Sequence, residues 1–347
     1  MTSTPGCCIL AKLGSTNAQI FKWDGVTMDP DRLAYVRAVV RQRTLSLLES
    51  PVADPLNVFV KPEPHSAKKM EEGRYRLISA VSLVDTLVDR VLFGWLGRVS
   101  LDSVGRTPCL VGWSPISGGW RQLKALYRGE VLCLDKSAWD WSVQGWMVDM
   151  WKTFVKELAF GHSDWWGKMV DQRFKLLFED AIFQFKDGTQ VFQGSPGIMK
   201  SGCYLTILLN SVGQSFVHYL ANLSLGREPT QNQPHTIGDD TVQGADIDFE
   251  VYVEAIKRLG FRVKGAHIRK NPEFAGFCFG KTCWPAYWQK HLFAMAYAQD
   301  LGEMMHSYMP LYVNEPVMFN LLRRVAFELN PATVLTVGEC REIMNGA

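Results

Sequence analysis

Three carboxylates at two distant points constrain this chain more than any other feature. The apolar run Val131–Leu134 reads as a buried strand and stops abruptly at Asp135. A carboxylate at the end of a buried strand is costly unless something positive meets it, and a metal ion is the usual partner. More than a hundred residues later, Ile237-Gly238-Asp239-Asp240-Thr241 reads as the tip of a hairpin. Glycine permits the tight turn there, and the two adjacent carboxylates repel one another. Alone, Gly-Asp-Asp is compatible with a solvated turn. Paired with Asp135 it points to two strands delivering carboxylates to one place, the arrangement that two-metal phosphoryl transfer requires.

The rest of the chain is compatible with a fold of that kind. Its 347 residues suggest about two lobes. Without repeats, low-complexity tracts or long linkers, these lobes are expected to be interwoven. An apolar fraction of 47% with 21% charged residues excludes a disordered or collagen-like chain. Lys and Arg number 37 against 35 Asp and Glu, which excludes a histone-like polycation and permits a basic tunnel within a mixed surface. No run of 18 apolar residues and no secretory signal is visible, so the chain reads as soluble and intracellular. The eight cysteines are scattered and include no C-x-x-C pair. Cys278, Cys283, His267 and His291 invite a zinc reading, but their spacing matches no common finger, and reduced structural thiols are expected.

Periodicity predicts helices over 30–50, starting near Asp29 or Asp31, and from Ser82 to Arg98. A short strand is expected at Asn57–Val60, then a charged loop from Lys61 to Arg76. Helical signal covers 144–180, and Phe183–Phe192 alternates around Asp187-Gly188 as a hairpin. Gly194 to Gly202 reads as flexible and Cys203–Leu220 as an apolar helix. A further helix, capped by Asp246, ends at Lys257, Arg258 and Gly260. Val263–Phe279 suggests short strands, and the remainder is mainly helical. The mixture is that of an α+β sheet with helices on one face.

Two further clusters carry chemistry. In Ser201-Gly-Cys-Tyr-Leu-Thr206-Ile-Leu-Leu-Asn210, Thr206 and Asn210 share a helix face and Ser201 lies at its start, so three polar groups need partners on an apolar helix. Between Lys61 and Arg76, five basic residues (Lys61, Lys68, Lys69, Arg74, Arg76) face three acidic ones. Arg74 and Arg76 alternate in an extended segment, which puts both guanidiniums on one side, a geometry suited to a triphosphate.

In this order the clusters resemble motifs F, A, B and C of viral RNA-dependent RNA polymerases. The wording KPEPHSAKK…EGRYRLISAVSLVDTLVDRVLF is close to the sobemovirus, polerovirus and barnavirus group. The resemblance runs from Lys61 to Gly280 and implies a right-hand fold: fingers, palm and thumb, with an antiparallel palm sheet packed on helices. The implied organisation is an N-terminal region and fingers with motif F over 1–130, and palm motif A over 131–150. A fingers insertion and hairpin follow over 151–190, then palm motifs B to E over 191–280 and a thumb over 281–347.

Carried over by position, Asp135, Asp239 and Asp240 become ligands of two Mg²⁺ ions, with Mn²⁺ as a substitute. Asp140, with Ser201, Thr206 and Asn210, resembles the group that reads the ribose 2′-hydroxyl. A site built to hydrogen-bond a hydroxyl rejects the analogue lacking it, which argues for ribonucleotides. Lys61, Lys68, Arg74 and Arg76 would neutralise the incoming triphosphate, with Arg76 stacking on the base. Lys264 is the implied general acid for pyrophosphate, with Lys270 as the alternative. Phe274-Ala-Gly-Phe-Cys-Phe279 resembles motif E, a grip under the primer or a palm–thumb core. Trp139 and Trp141 are expected to pack rather than stack on bases.

The implied partners are template and product RNA, NTPs, a genome-linked protein primer and other viral replication proteins. The implied location is the host cytoplasm, in replication complexes attached to membranes through partners. De novo initiation stays open, as does Met1 as a natural start or a polyprotein boundary. The competing readings are a reverse transcriptase and a non-catalytic RNA-binding scaffold. Asp140 and Asn210 argue against the first, and the intact acids with the basic motif F argue against the second.

Overall fold

A computed structural model describes residues 1–245 and 248–346. The chain divides into two compact units, each assembled from two stretches: 1–102 with 138–216, and 103–137 with 217–347.

In the first unit a long helix, Pro30–Glu49, starts where proline presets the first turn and the Asp29 side chain accepts from the Arg32 amide. It packs against helices Leu83–Asp102 and Asp164–Phe178. Buried charges tie these elements together. Arg173 holds Asp89 through two hydrogen bonds of 2.6 and 3.0 Å, and Arg43 bridges Asp85 at 2.6 Å and Asp54 at 2.9 Å. A four-stranded sheet runs in the order Leu77–Ala80, Leu56–Val60, Ile182–Gln184, Gln190–Phe192. Its middle pairing is parallel and the outer two are antiparallel. The expected charged loop between Lys61 and Arg76 contains a short helix, Ala67–Glu71, because Ala-Lys-Lys-Met-Glu are all good helix formers.

The second unit is built on a fully antiparallel sheet ordered His235–Ile237, Asp240–Gly244, Val131–Ser137, Arg262–Arg269. The strand expected to end at Asp135 runs on to Ser137, since Arg262–Arg269 pairs with its whole length across an irregularity between Asp135 and Lys136. Three short strands, Glu273–Phe274, Phe277–Phe279 and Cys283–Pro285, form a second antiparallel sheet. Its Phe274 and Phe279 rings lie 6.1 and 5.9 Å from Trp113, in a core shared with Val131, Val242 and Met305. Phe274 and Phe279 are thus core residues of this unit. Four α-helices lie between Trp288 and Asn345. The last, Val337–Asn345, opens with a capping box made by Thr336 and Glu339 and closes where Asn345 accepts from the Trp120 indole at 3.1 Å.

The helix Phe249–Arg258 has Asp248 at its N-cap position without a side-chain cap. The expected cap, Asp246, lies outside the described residues.

Candidate active site

The geometry of the three acids follows from strand register in the second unit. Gly238 has φ +62° and occupies the first central position of a two-residue turn between the paired residues Ile237 and Asp240. Asp239 is therefore at the tip and Asp240 begins the returning strand. Leu134 stands opposite Thr241, which places Asp135 and Asp240 at the same end of adjacent strands. Both line a cavity of about 330 Å³ with Lys264, His267, Arg269 and Tyr287.

The electrostatics follow from that crowding. The Asp240 side chain reaches solvent, yet its carboxyl is pushed up to about 6, first by the protein packed around it, then by Asp239 and Asp135. Lys264 Nζ lies 3.0 Å from Asp135 Oδ2, bringing together two groups that the sequence predicted to work in one reaction. Both side chains are well exposed, so their pairing contributes little to stability. Beneath them Lys136 is buried; burial lowers its pKa to about 8 against the opposing pull of Asp239, Asp135 and Asp240.

Among the described residues, no three His, Cys, Asp or Glu side chains are gathered tightly enough to hold a metal ion. The donor set nonetheless fits a hard divalent cation: oxygen ligands, a carboxyl driven upward by like charge, and an ammonium already drawn to Asp135. The buried Thr241 hydroxyl, which has no hydrogen-bond partner, lines the same cavity.

The other predicted residues lie in the first unit. Asp140 and Asn210 meet: Asn210 Nδ2 donates to Asp140 Oδ1 at 2.9 Å, while Asn210 Oδ1 is buried without a partner. The structure gives Ser201 and Thr206 backbone partners instead of joining them to that pair. Ser201 Oγ accepts from the Ser79 amide at 3.1 Å, and the Thr206 hydroxyl lies 2.7 Å from Lys200 O and 2.8 Å from Cys203 O. Of the basic set, Arg76 and Lys61 both pair with Glu63, at 2.8 and 2.9 Å, and Arg74 pairs with Glu72. Lys68 sits exposed on the helix Ala67–Glu71. Trp139 is buried, whereas Trp141 is half exposed and stacks on Phe183 at 6.2 Å.

Sequence reasoning missed several groups. Arg269 was missed, and His267 was weighed only for zinc; the two alternate along the strand that carries Lys264, and period-two patterning from Gly265 would have placed them beside one another on one face. Glu273 links Arg269, four residues before it, at 2.7 Å to the Tyr287 hydroxyl at 2.6 Å, and the second contact joins separate segments that carry no shared sequence signal. Lys200 is fully buried and was missed as well. Its ammonium donates to Gln193 Oε1 at 2.5 Å and Ile198 O at 2.6 Å and lies 5.5 Å from the ring centroids of Phe178 and Phe183. The segment that reads as flexible is thereby pinned from within. It is also docked through Ile198 N to Val143 O and Met199 N to Asp140 O.

Comparison with known proteins bears on this arrangement. Residues 51–282 match the family described as viral RNA-dependent RNA polymerase. Over 313 residues the chain is 32% identical to the replicase polyprotein P2AB of Southern bean mosaic virus, an overlap covering 82% of this chain and 30% of that polyprotein. It is 30% identical over 253 residues to protein P1-P2 of a Netherlands strain of Potato leafroll virus, covering 66% of this chain and 23% of that protein. The RNA-directed RNA polymerase of Mushroom bacilliform virus is 29% identical over 284 residues, 77% of this chain and 66% of that enzyme. The chain thus spans less than a third of the length of the first two of these relatives.

Proposed function

We propose that this chain, which belongs to the viral RNA-dependent RNA polymerase family, catalyses RNA-templated addition of NTPs to an RNA 3′-hydroxyl in viral genome replication and transcription. One observation carries the reading: Asp135 and Asp240 lie at the same end of adjacent strands and line one cavity, with the Lys264 ammonium on Asp135. In the right-hand reading, 131–150 and 191–280, which contain the strands Val131–Ser137 and Asp240–Gly244, are the palm, 1–130 with 151–190 are the N-terminal region and fingers, and 281–347 is the thumb.

In the proposed reaction the 3′-oxygen attacks the α-phosphorus, the new P–O bond forms as the α–β bridge breaks, and pyrophosphate leaves. The hydroxyl proton passes to water, and Lys264 donates a proton to a pyrophosphate oxygen. Two Mg²⁺ ions, or Mn²⁺ in their place, would be held by Asp135, Asp239 and Asp240 and would supply acidity to the 3′-hydroxyl and countercharge to the leaving group. Asn210 Oδ1, a buried acceptor still open beside Asp140, suits the 2′-hydroxyl of a ribonucleotide. Lys61, Lys68, Arg74 and Arg76 would receive the triphosphate, with Glu63 and Glu72 holding three of these side chains until it arrives. Initiation from a genome-linked protein, and work beside other replication proteins in the host cytoplasm, belong to the same proposal. No helix among the described residues is long and apolar enough to cross a membrane, so the proposal assigns membrane attachment to partners.

Primed extension of an RNA template tests the reading, with NTPs and dNTPs supplied separately and Asp239→Ala run beside the wild type. NTP extension that disappears in the variant is expected. A preference for dNTPs would point to a reverse transcriptase. RNA binding by a folded wild type with no extension under any metal would point to a scaffold.

A further inference from the structure

The three long helices of the first unit, Pro30–Glu49, Leu83–Asp102 and Asp164–Phe178, leave an open groove of about 740 Å³. Its lining is apolar at depth, where Val36, Val40 and Met169 are buried. It stays apolar toward solvent, where Leu45, Val91 and Trp165 are 51%, 62% and 56% exposed. Large side chains left in water around a concave surface mark an interaction site more than a solvated face.

The charges lining the groove have one sign. Arg37 and Arg41, one turn apart, come from the first helix and Arg90 from the second. Among the described residues, none of the three forms an ion pair. Arg43 on the same first helix and Arg173 on the third differ, each meeting carboxylates inside the unit. Leu33 to Leu45 spans about 18 Å of helix at 1.5 Å per residue, room for roughly three turns of a second helix.

We propose that this groove docks an amphipathic helix of a partner protein, its apolar stripe seated between the helices and its flanks lined with Asp or Glu facing Arg37, Arg41 and Arg90. The apolar depth matches anchors at i, i+3 or i+4, and i+7, and guanidiniums that have no ion pair, Arg90 lying 5.4 Å over the Tyr204 ring, match carboxylates. RNA fits less well, because the lining is mainly aliphatic and offers few rings for stacking. A two-fold pairing with a second copy would set arginines against arginines.

The test uses the full chain and a fluorescein-labelled 18-residue helical peptide with Leu in the i, i+3, i+4, i+7 pattern and Glu elsewhere, read by polarisation. A matched peptide carries Lys in place of Glu. The Glu peptide is expected to saturate one site on the wild type, and the Lys peptide to bind at least tenfold more weakly. Arg37→Glu with Arg41→Glu should weaken the Glu peptide tenfold or more, as should Val91→Asp, with melting temperatures unchanged. Primed extension by these variants should stay at the wild-type level, which separates this result from the polymerase reading. The proposal is overturned if neither peptide binds, if both bind equally, or if the charge reversal has no effect. It is also overturned if light scattering shows a dimer, or flotation shows capture by anionic vesicles, that the same charge reversal abolishes.

Discussion

Asp135 and Lys136 are neighbours in sequence and occupy opposite environments. The pleat sends one side chain toward solvent and the other into the interior, where the field of three acids offsets part of the cost of burial. Because Asp239 is exposed and in a field of like charge, Asp239→Ala should shift stability by less than about 1 kcal/mol while lowering extension by about a thousandfold or more. Thermal melts and primed extension on one preparation check both halves. Asn210→Ala should reduce NTP-over-dNTP discrimination about tenfold, the worth of one hydrogen bond, with RNA affinity unchanged in a filter-binding assay. His218 supplies a pH dependence. It is buried against the Tyr252 hydroxyl at 2.7 Å and Gln231 O at 3.0 Å, and burial lowers its pKa to about 4 from 6.5. A depressed folded-state pKa means stability present above 6.5 and lost as pH falls through 4. The loss from this residue should be about 2–3 kcal/mol, seen in urea unfolding at pH 7, 5.5 and 4 as a slope that flattens in His218→Gln.

At the scale of elements, the sequence was most legible where one local rule decides. Pro30 with Asp29 set a helix start, Asp187-Gly188 and Gly238-Asp239 set hairpins, and the spacing of Asp135 from Gly-Asp-Asp marked the two strands that meet. It was least legible where a tertiary partner decides. The strand beyond Asp135 exists because Arg262–Arg269 pairs with it, and Glu63 and Glu72 occupy guanidiniums that alternation alone left free. The loop before Thr206 belongs to this second class, since a buried lysine with neutral acceptors holds it. Lys200→Met would leave Gln193 Oε1 and Ile198 O unmet, and hydrogen exchange of the amides of Gly194, Ser195 and Gly197 to Met199 should accelerate at least tenfold while exchange in Leu83–Asp102 stays slow. Gly202 is needed for a different reason. A Cβ there would lie 2.8 Å from both Ala80 Cα and Ser79 O, backbone atoms that cannot step aside. Gly202→Ala should cost about 1–3 kcal/mol, read as a lowered urea midpoint.

At the scale of the whole molecule, neither compact unit is continuous in sequence. In the first, Arg173 from the later stretch closes on Asp85 and Asp89 from the earlier one, at 3.8 and 2.6 Å. Removing one member strands a buried charge, so Asp89→Ala should destabilise by about 3–5 kcal/mol, visible in calorimetry as a fall of many degrees. The same discontinuity governs the sheet of the second unit. One of its two inner strands, Val131–Ser137, pairs among the described residues with segments that begin at Asp240 and Arg262. At about 5–20 residues per second, a ribosome emits Val131–Ser137 and then takes roughly 6–25 seconds to reach the end of the second partner. Throughout that interval the apolar run Val131–Leu134 has two unpaired edges beside a growing chain, an opening for misassociation that closes when its two partner segments arrive.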